Sequence, residues 1–417
     1  MSKEVSYLPR ILDARIERRL KSSGAVVIEG PRGCGKTWTG SHHAKTIVRV
    51  DSVSAQRMAA TNLGLLLRGE PPVLLDEWQT APELWNAVRH EVDDRQAKGL
   101  FILTGSARPA DDARRHSGAG RMAKARMRPL SSWEAQRSTG EVSLAELLSA
   151  RPVEGQSKTP FVEYAALVVR GGWPALLDAS IDEAIAFSED YVSLIVEHDA
   201  ATLDGAQRNP DRLRRFLEAY AALSAHPVPM TRIVARATAS ADATLARATA
   251  DNYAVAVERL MVTDDVRAWS THMRSRARLT RVPKRHLADP SLACALMRAT
   301  PERLLDDLES FGYLFESLVT RDLRVYAEAN DADVYHYREH GGELEVDLIV
   351  EARDGAWIGV EVKLGEGYID DAARNLRLLA DTRIKRPPAA LMVITTGEYA
   401  YTREDGVSVV PLAALRP

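Results

Sequence analysis

Apolar and polar positions follow two periods along this chain. Residues 8–23 carry their charges on a helical period and lead into "GAVVIEG", an apolar stretch that reads as a short buried strand. Strand and helix patterns then alternate to about "RPLSSWE" at 128–134, as in an α/β domain. From about 141 to 227 the pattern is mostly helical, with a break at "RGGWPALL" (170–177). Residues 211–225, "DRLRRFLEAYAALSA", have a helical apolar period. "MTRIVARAT" and "ATADNYAVAVERL" predict two further short helices, and the basic "VRAWSTHMRSRARLTRVPKRH" comes next. Helix, helix–turn–helix and strand pair is the order of a winged helix. From about 289 the pattern changes again. A helix, "DDLESFGYLFESLVTRDLRVYAEA", precedes strands at 333–338, 343–350 and 357–363. A helix near 369–380 and a last strand, "AALMVITT", complete a second α/β unit. The expected division is 1–140, 141–205, 206–288 and 289–417.

Composition narrows the class. The 417 residues are 45% hydrophobic and 27% charged, which suits a soluble chain with true cores. A net charge of -3 excludes a globally basic nucleic-acid coat and leaves local basic patches open. Cys34 and Cys294 are the two cysteines; they cannot form a disulfide framework or a cysteine zinc site. The N-terminus has no apolar signal core and no run is long enough to span a membrane, so a cytoplasmic protein with no membrane partner is expected.

"GPRGCGKT" at 30–37 fits the phosphate-loop pattern at every fixed position, after an apolar strand and at the start of a helix. Gly30, Pro31, Arg32, Gly33, Cys34 and Gly35 would form the loop whose backbone N–H groups face a phosphate. Lys36 would reach the β- and γ-phosphates of ATP, and Thr37 would ligate Mg²⁺. In "PVLLDEWQ" (72–79), an apolar strand ends in two carboxylates. Asp76 would hold the Mg²⁺ shell and Glu77 would orient or deprotonate the attacking water. "LFILTGS" (100–106) is a third apolar strand; Thr104 or Ser106 would contact the γ-phosphate or the water, or would only cap the strand end. Residues 114–128 are basic without one acid. Arg121 there would suit a neighbour's γ-phosphate, or belongs to a solvated loop.

Two features point to nucleic acid. Asn252 and Tyr253 are placed where a recognition helix meets base edges. Residues 267–286 then carry Arg267, Arg274, Arg276, Arg278, Arg281, Lys284 and Arg285 without one acid, as a phosphate-binding wing would. A protein-binding or architectural element is the alternative.

Taken together, "YLPRILDARIERRL", "GPRGCGKT", "LLDEWQ", "ILTGS" and "GAGRMAKARMRPLSSWE" resemble the prokaryotic AAA-type ATPases fused to a C-terminal domain of unknown function. "GGWPALL", "YVSLIVEHD", "HLADPSLA" and "FGYLFESLV" resemble that family's later landmarks, so the likeness covers nearly the whole chain. It implies an α/β multidomain protein: an AAA-type P-loop ATPase domain, a helical and winged-helix middle, and a C-terminal restriction-endonuclease-like domain. It also implies a homo-oligomer, with a hexameric ring favoured because the arginine comes from the next protomer. Trp78 departs from the pattern, where an aliphatic residue is expected.

In nucleases of that fold an Asp on one strand and a Glu-x-Lys on the next share a corner of a mixed sheet. Asp347 and then Glu361-Val362-Lys363 have that order here, with the turn "RDG" between. By this resemblance Asp347 and Glu361 would bind Mg²⁺ or Mn²⁺, Lys363 would position the water or stabilise the pentavalent transition state, and Glu316 would complete the metal shell. Ordinary positions on half-buried strands, or a fold that kept its acids and lost cleavage, are the other readings. Two functions follow. One is an ATP-driven enzyme that holds and cuts DNA. The other is an ATP-controlled regulator whose terminal fold only binds a protein partner or DNA.

Overall fold

The apolar run before the phosphate loop becomes β1 (Ala25–Glu29) in a computed structural model that describes residues 7–106, 117–200, 203, 207–239, 245–270, 282–339 and 342–417. The chain divides into two units: Met1–Pro129 with Arg259–Met261, and Leu130–Glu258 with Val262–Pro417.

In the first unit β1 joins β2 (Thr46–Arg49), β3 (Val73–Asp76), β4 (Phe101–Gly105) and β5 (Met122–Arg126). The order is β2-β3-β4-β1-β5 and every pairing is parallel. β3 and β4 are buried at every position, on both faces of the parallel sheet, which is why they read as unbroken apolar runs. Helix Asp13–Ser22 precedes β1, and helices Lys36–His43, Val53–Thr61 and Leu84–Arg95 lie between the strands in sequence. Trp78 belongs to the core of this sheet, buried beside Trp85 at 5.2 Å between ring centres. The large ring therefore serves packing, which accounts for its departure from the aliphatic expectation.

The second unit is built on a seven-stranded mixed sheet. β8 (Ala332–Arg338), β9 (Glu345–Ala352) and β10 (Trp357–Val362) run antiparallel in succession. β11 (Ala390–Thr395) and β13 (Val407–Pro411) extend the sheet in parallel, and β12 (Tyr399–Thr402) returns antiparallel to β13. Helix Leu308–Ala329 precedes β8, and helix Ile369–Thr382 links β10 to β11. "AALMVITT" is thus not the last strand.

The 141–205 stretch is not purely helical either. β6 (Val142–Ser143) pairs in parallel with β14 (Leu415–Arg416), and β7 (Gly155–Gln156) pairs with β12. Two-residue strands have no readable period, and both are fixed by partners about 250 residues away.

Helices Pro210–Ala221, Met230–Thr238 and Arg247–Arg259 follow the predicted order. Antiparallel bridges join Thr263 to Leu287 and Val266 to Lys284. Tyr253 does not sit at a helix start meeting base edges: it is 3% exposed and packs its ring on Phe216. No helix among the described residues is long and apolar enough to cross a membrane.

Candidate functional site

The carboxyl ends of β1, β3 and β4 lie along one edge of the first sheet, with β4 between the other two. Open parallel sheets bind their ligands at such an edge. Gly33 and Gly35 take φ of 79° and 102°, the left-handed region that glycine enters at no steric cost, and Gly35 caps helix Lys36–His43. A side chain on Gly30 would collide with the Met127 carbonyl, so the loop closes against β5 only with glycine there. Pro31 and Cys34 are buried, whereas Arg32 and Gly33 are exposed. Arg10 braces the loop from the preceding segment, donating to the Cys34 carbonyl at 2.9 Å and the Arg128 carbonyl at 2.8 Å. Sequence reading missed Arg10, because one arginine in a charged stretch carries no signal of a loop it meets in space.

Lys36 is buried and donates one proton to the Pro31 carbonyl at 2.8 Å, which leaves two for an anion. Thr37 Oγ1 donates to Asp76 Oδ1 at 2.9 Å, and Thr104 Oγ1 donates to the same oxygen at 2.6 Å. The register that sets Asp76 beside Thr104 makes this pairing a property of the sheet. A hydroxyl and a carboxylate at one point supply the kind of oxygen donors that Mg²⁺ takes in phosphate sites. The residues fit Mg²⁺ with a nucleotide.

Glu77 follows with φ 55° and ψ 41°, a strained conformation for a residue with a side chain. Its carboxylate accepts from Gln79 Nε2, and from Ser106 Oγ at 3.3 Å. Gly105 leaves room for Gln79, whose amide any side chain at 105 would strike. Gln79 was not singled out in the sequence; its spacing of two from Glu77 carries meaning only in the turn that β3 enters.

Arg121 is not brought to this edge. Its carbonyl accepts from Ala25 N, at the start of β1, so it lies one strand length, about 13 Å, from the loop. Its guanidinium pairs with Asp93 at 2.8 Å.

In the second unit, β9, β10 and helix Leu308–Ala329 bring Asp347, Glu361, Lys363 and Glu316 together. Lys363 Nζ lies 2.7 Å from Glu361 and 3.5 Å from Asp347. Asp347 Oδ2 also accepts from Val362 N at 2.9 Å. A second lysine is present. Lys284 Nζ lies 2.6 Å from Glu316, 3.3 Å from Asp347 and 3.9 Å from Glu345. The expectation that Lys284 belongs to a phosphate-binding wing is therefore corrected: its side chain is 1% exposed and turned to carboxylates. Arg285 is likewise spent within the fold, 2.7 Å from Asp265. Arg274, Arg276, Arg278 and Arg281 lie outside the described residues.

Burial would raise the Asp347 carboxyl, but Lys284 and Lys363 more than offset it and bring it down to about 2. Glu316 and Glu361 are pushed up to about 8, first by burial. Asp347's charge adds to both. Burial works against the Lys284 and Lys363 ammoniums, yet the surrounding acids hold both above their ordinary range. The fit of a metal shell is poor. A protonated lysine stands between Glu316 and Asp347, and no group of three His, Cys, Asp or Glu among the described residues is placed to hold a metal ion.

A third cluster joins the two glycines of "RGGWPALL" to the long helix. Arg321 donates to Asp289 at 2.8 Å and to Asp322 at 2.8 Å, all three fully or nearly buried. Asp289 also accepts from Gly172 N and Asp322 from Ser132 N, each at 3.0 Å. Every charge is paired, so these landmark residues hold the unit together.

Three family models match successive parts of the chain. Residues 22–136 match the AAA domain, 162–303 a domain of unknown function (DUF8612), and 311–415 another (DUF4143). An uncharacterized protein of Mycobacterium tuberculosis is 26% identical over 408 residues, 95% of this chain and 82% of its own. One from Mycobacterium bovis aligns to the same extent. Among solved structures, the Walker-type ATPase PABY2304 of Pyrococcus abyssi aligns at 12% identity with a TM-score of 0.41, over 71% of this chain and 97% of its own. This is a mixed α/β multidomain chain whose residues 22–136 match the AAA domain and fold as a parallel sheet behind a phosphate-loop motif.

Proposed function

We propose that this chain binds and hydrolyses ATP with Mg²⁺, and that its nucleotide state controls contact of the second unit with DNA without cutting it. The observation that carries the first half is the Thr37–Asp76–Thr104 cluster beside Lys36 at the carboxyl edge of the sheet. Lys36 and the loop N–H groups would bind the β- and γ-phosphates. Thr37 and Asp76 would hold a Mg²⁺, whose charge offsets that gathering on the phosphate oxygens. Glu77, oriented by Gln79 and Ser106, would take the proton of the attacking water.

For the second half, the acid-free basic stretch 267–281, which leaves out Lys284 and Arg285, and the winged-helix order of 206–288 support DNA as the partner. Lys284 within the acidic cluster argues against metal-dependent cleavage at Asp347 and Glu361. A homo-oligomer, with a hexameric ring favoured, would let Arg121 serve a neighbour's nucleotide, since it cannot reach its own. The test uses purified full-length protein. Lys36→Ala removes ATP binding, DNA affinity falls steeply with salt, and no linear, nicked, forked or single-stranded DNA is cut with Mg²⁺ or Mn²⁺, with or without ATP. Wild-type hydrolysis by Lys36→Ala refutes the ATPase site; salt-independent or absent DNA binding favours a protein partner; cleavage lost in Asp347→Ala restores the nuclease reading.

A further inference from the structure

The acids of the second unit are already served by a cation of the chain's own. Lys284 reaches them from the segment that bridges Val266, far in sequence from both helix Leu308–Ala329 and β9. Its ammonium has three protons and meets three oxygens: Glu316 Oε1 at 2.6 Å, Asp347 Oδ1 at 3.3 Å and the Asp347 carbonyl at 3.3 Å. Backbone pairing fixes its origin, with Lys284 N donating to the Val266 carbonyl and Val266 N to the Lys284 carbonyl, both at 2.9 Å. On the outer side, Lys363 serves Glu361 and the second Asp347 oxygen.

We propose that Lys284 is a built-in cation that takes the place between Glu316 and Asp347 that a divalent ion would fill, so that the pocket is metal-independent and removal of the amine creates a divalent-cation site. The carboxyls of Glu316, Asp347, Glu361 and Glu345 face Lys284, Lys363 and, at Glu345, Arg338, which leaves too little negative charge to recruit a dication. A dication entering beside Lys284 would meet an ammonium within bonding distance of both its ligands. Displacing Lys284 would strand its charge in the interior, where an unpaired ion is strongly disfavoured.

This deepens the non-cutting reading and is tested without reference to cleavage. Mn²⁺ alone is titrated into the full chain without nucleotide and followed by electron paramagnetic resonance. The background carries Asp76→Asn, so that the phosphate-loop side contributes no ligand carboxylate. The expected background protein shows no Mn²⁺ binding that depends on Asp347. Adding Lys284→Met raises Mn²⁺ affinity by about tenfold or more, and adding Asp347→Asn to that protein abolishes the gain. Asp347-dependent Mn²⁺ binding in the background, or no gain with folded Lys284→Met, overturns the proposal. If Lys284→Met does not fold, Lys284→Gln removes the ammonium, keeps a polar side chain among the carboxylates and leaves Glu316, Asp347 and Glu361. Gain of Mn²⁺ by that protein supports the proposal, and no gain overturns it. A background protein that binds no Mn²⁺ yet whose parent cuts DNA refutes the non-cutting function alone.

Discussion

Thr37 Oγ1 donates to Asp76 Oδ1 across 2.9 Å, joining the last residue of the phosphate-loop motif to the last residue of β3. The bond ties the loop to a strand two positions away in the sheet, through an oxygen that also accepts from Thr104. Asp76→Asn keeps the shape and puts a donor or a weaker acceptor at that point. Nucleotide affinity measured in EDTA should stay near the parent's. Mg²⁺-dependent turnover should fall about ten- to a hundredfold, as when a group that orients a metal's ligands is lost. Equal turnover at saturating Mg²⁺ would remove Asp76 from the proposed metal shell.

Gln79 should act as a positioning residue through Glu77. Glu77→Gln should retain ATP and lose about 10²–10⁴-fold in turnover, the range for a lost general base. Gln79→Ala leaves Glu77 in place but free to turn. It should lower kcat with little change in KM and shift the pH profile of kcat, while Gln79→Glu should not rescue it. A Gln79→Ala protein whose pH profile matches the parent's would show that the contact is structural only.

Arg321 stands between two buried aspartates, each with a backbone donor of its own. Removing one partner of such a network leaves buried charge without compensation, at about 3–5 kcal/mol. Arg321→Ala should therefore lower the unfolding midpoint of the second unit sharply and leave ATP hydrolysis in a surviving fraction intact. Denaturant unfolding followed by tryptophan fluorescence measures it, since Trp173 hydrogen-bonds Ser291 beside Asp289. A change within about 0.5 kcal/mol, the scale of surface substitutions, would make the cluster incidental.

The candidate nucleotide site was legible because its signal is local: a glycine loop, an apolar strand ending in acids and a third apolar strand, each read within eight residues. Helix Pro210–Ala221 was legible because its apolar period runs over 12 residues. Lys284 was not. In sequence it is one cation in an acid-free run, and nothing in that run distinguishes an ammonium facing solvent from one aimed into a core. What decides it is the bridge to Val266, a contact that forms only after the chain has turned back. Tyr253 misled for a related reason. That it belongs to a helix was readable, but it stands in the middle of Arg247–Arg259 and not at the start, and the face it occupies is set by Phe216 on another helix. β6 and β7 exist only because β14 and β12 pair with them.

The acidic cluster should give the second unit a distinctive pH dependence. Glu316 and Glu361 are raised from an ordinary 4.5 to about 8, so the folded state holds their protons more tightly than the unfolded chain does. Their stabilisation is complete below about 4.5 and is lost as pH rises through 8. Asp347 works in the opposite sense: lowered from 3.8 to about 2, it stabilises above 3.8 and that contribution is lost as pH falls through 2. Between these windows, near pH 4 to 5, the cluster contributes most, and stability should decline from about pH 5 to pH 8. Glu361→Gln removes one of the two titrations and should flatten that decline, while leaving the loss below pH 4 in place. The measurement is the thermal midpoint against pH for the transition that Arg321→Ala moves, which identifies the second unit. If Glu361→Gln declines as steeply as the parent between pH 5 and 8, the buried carboxyl is not what sets the slope.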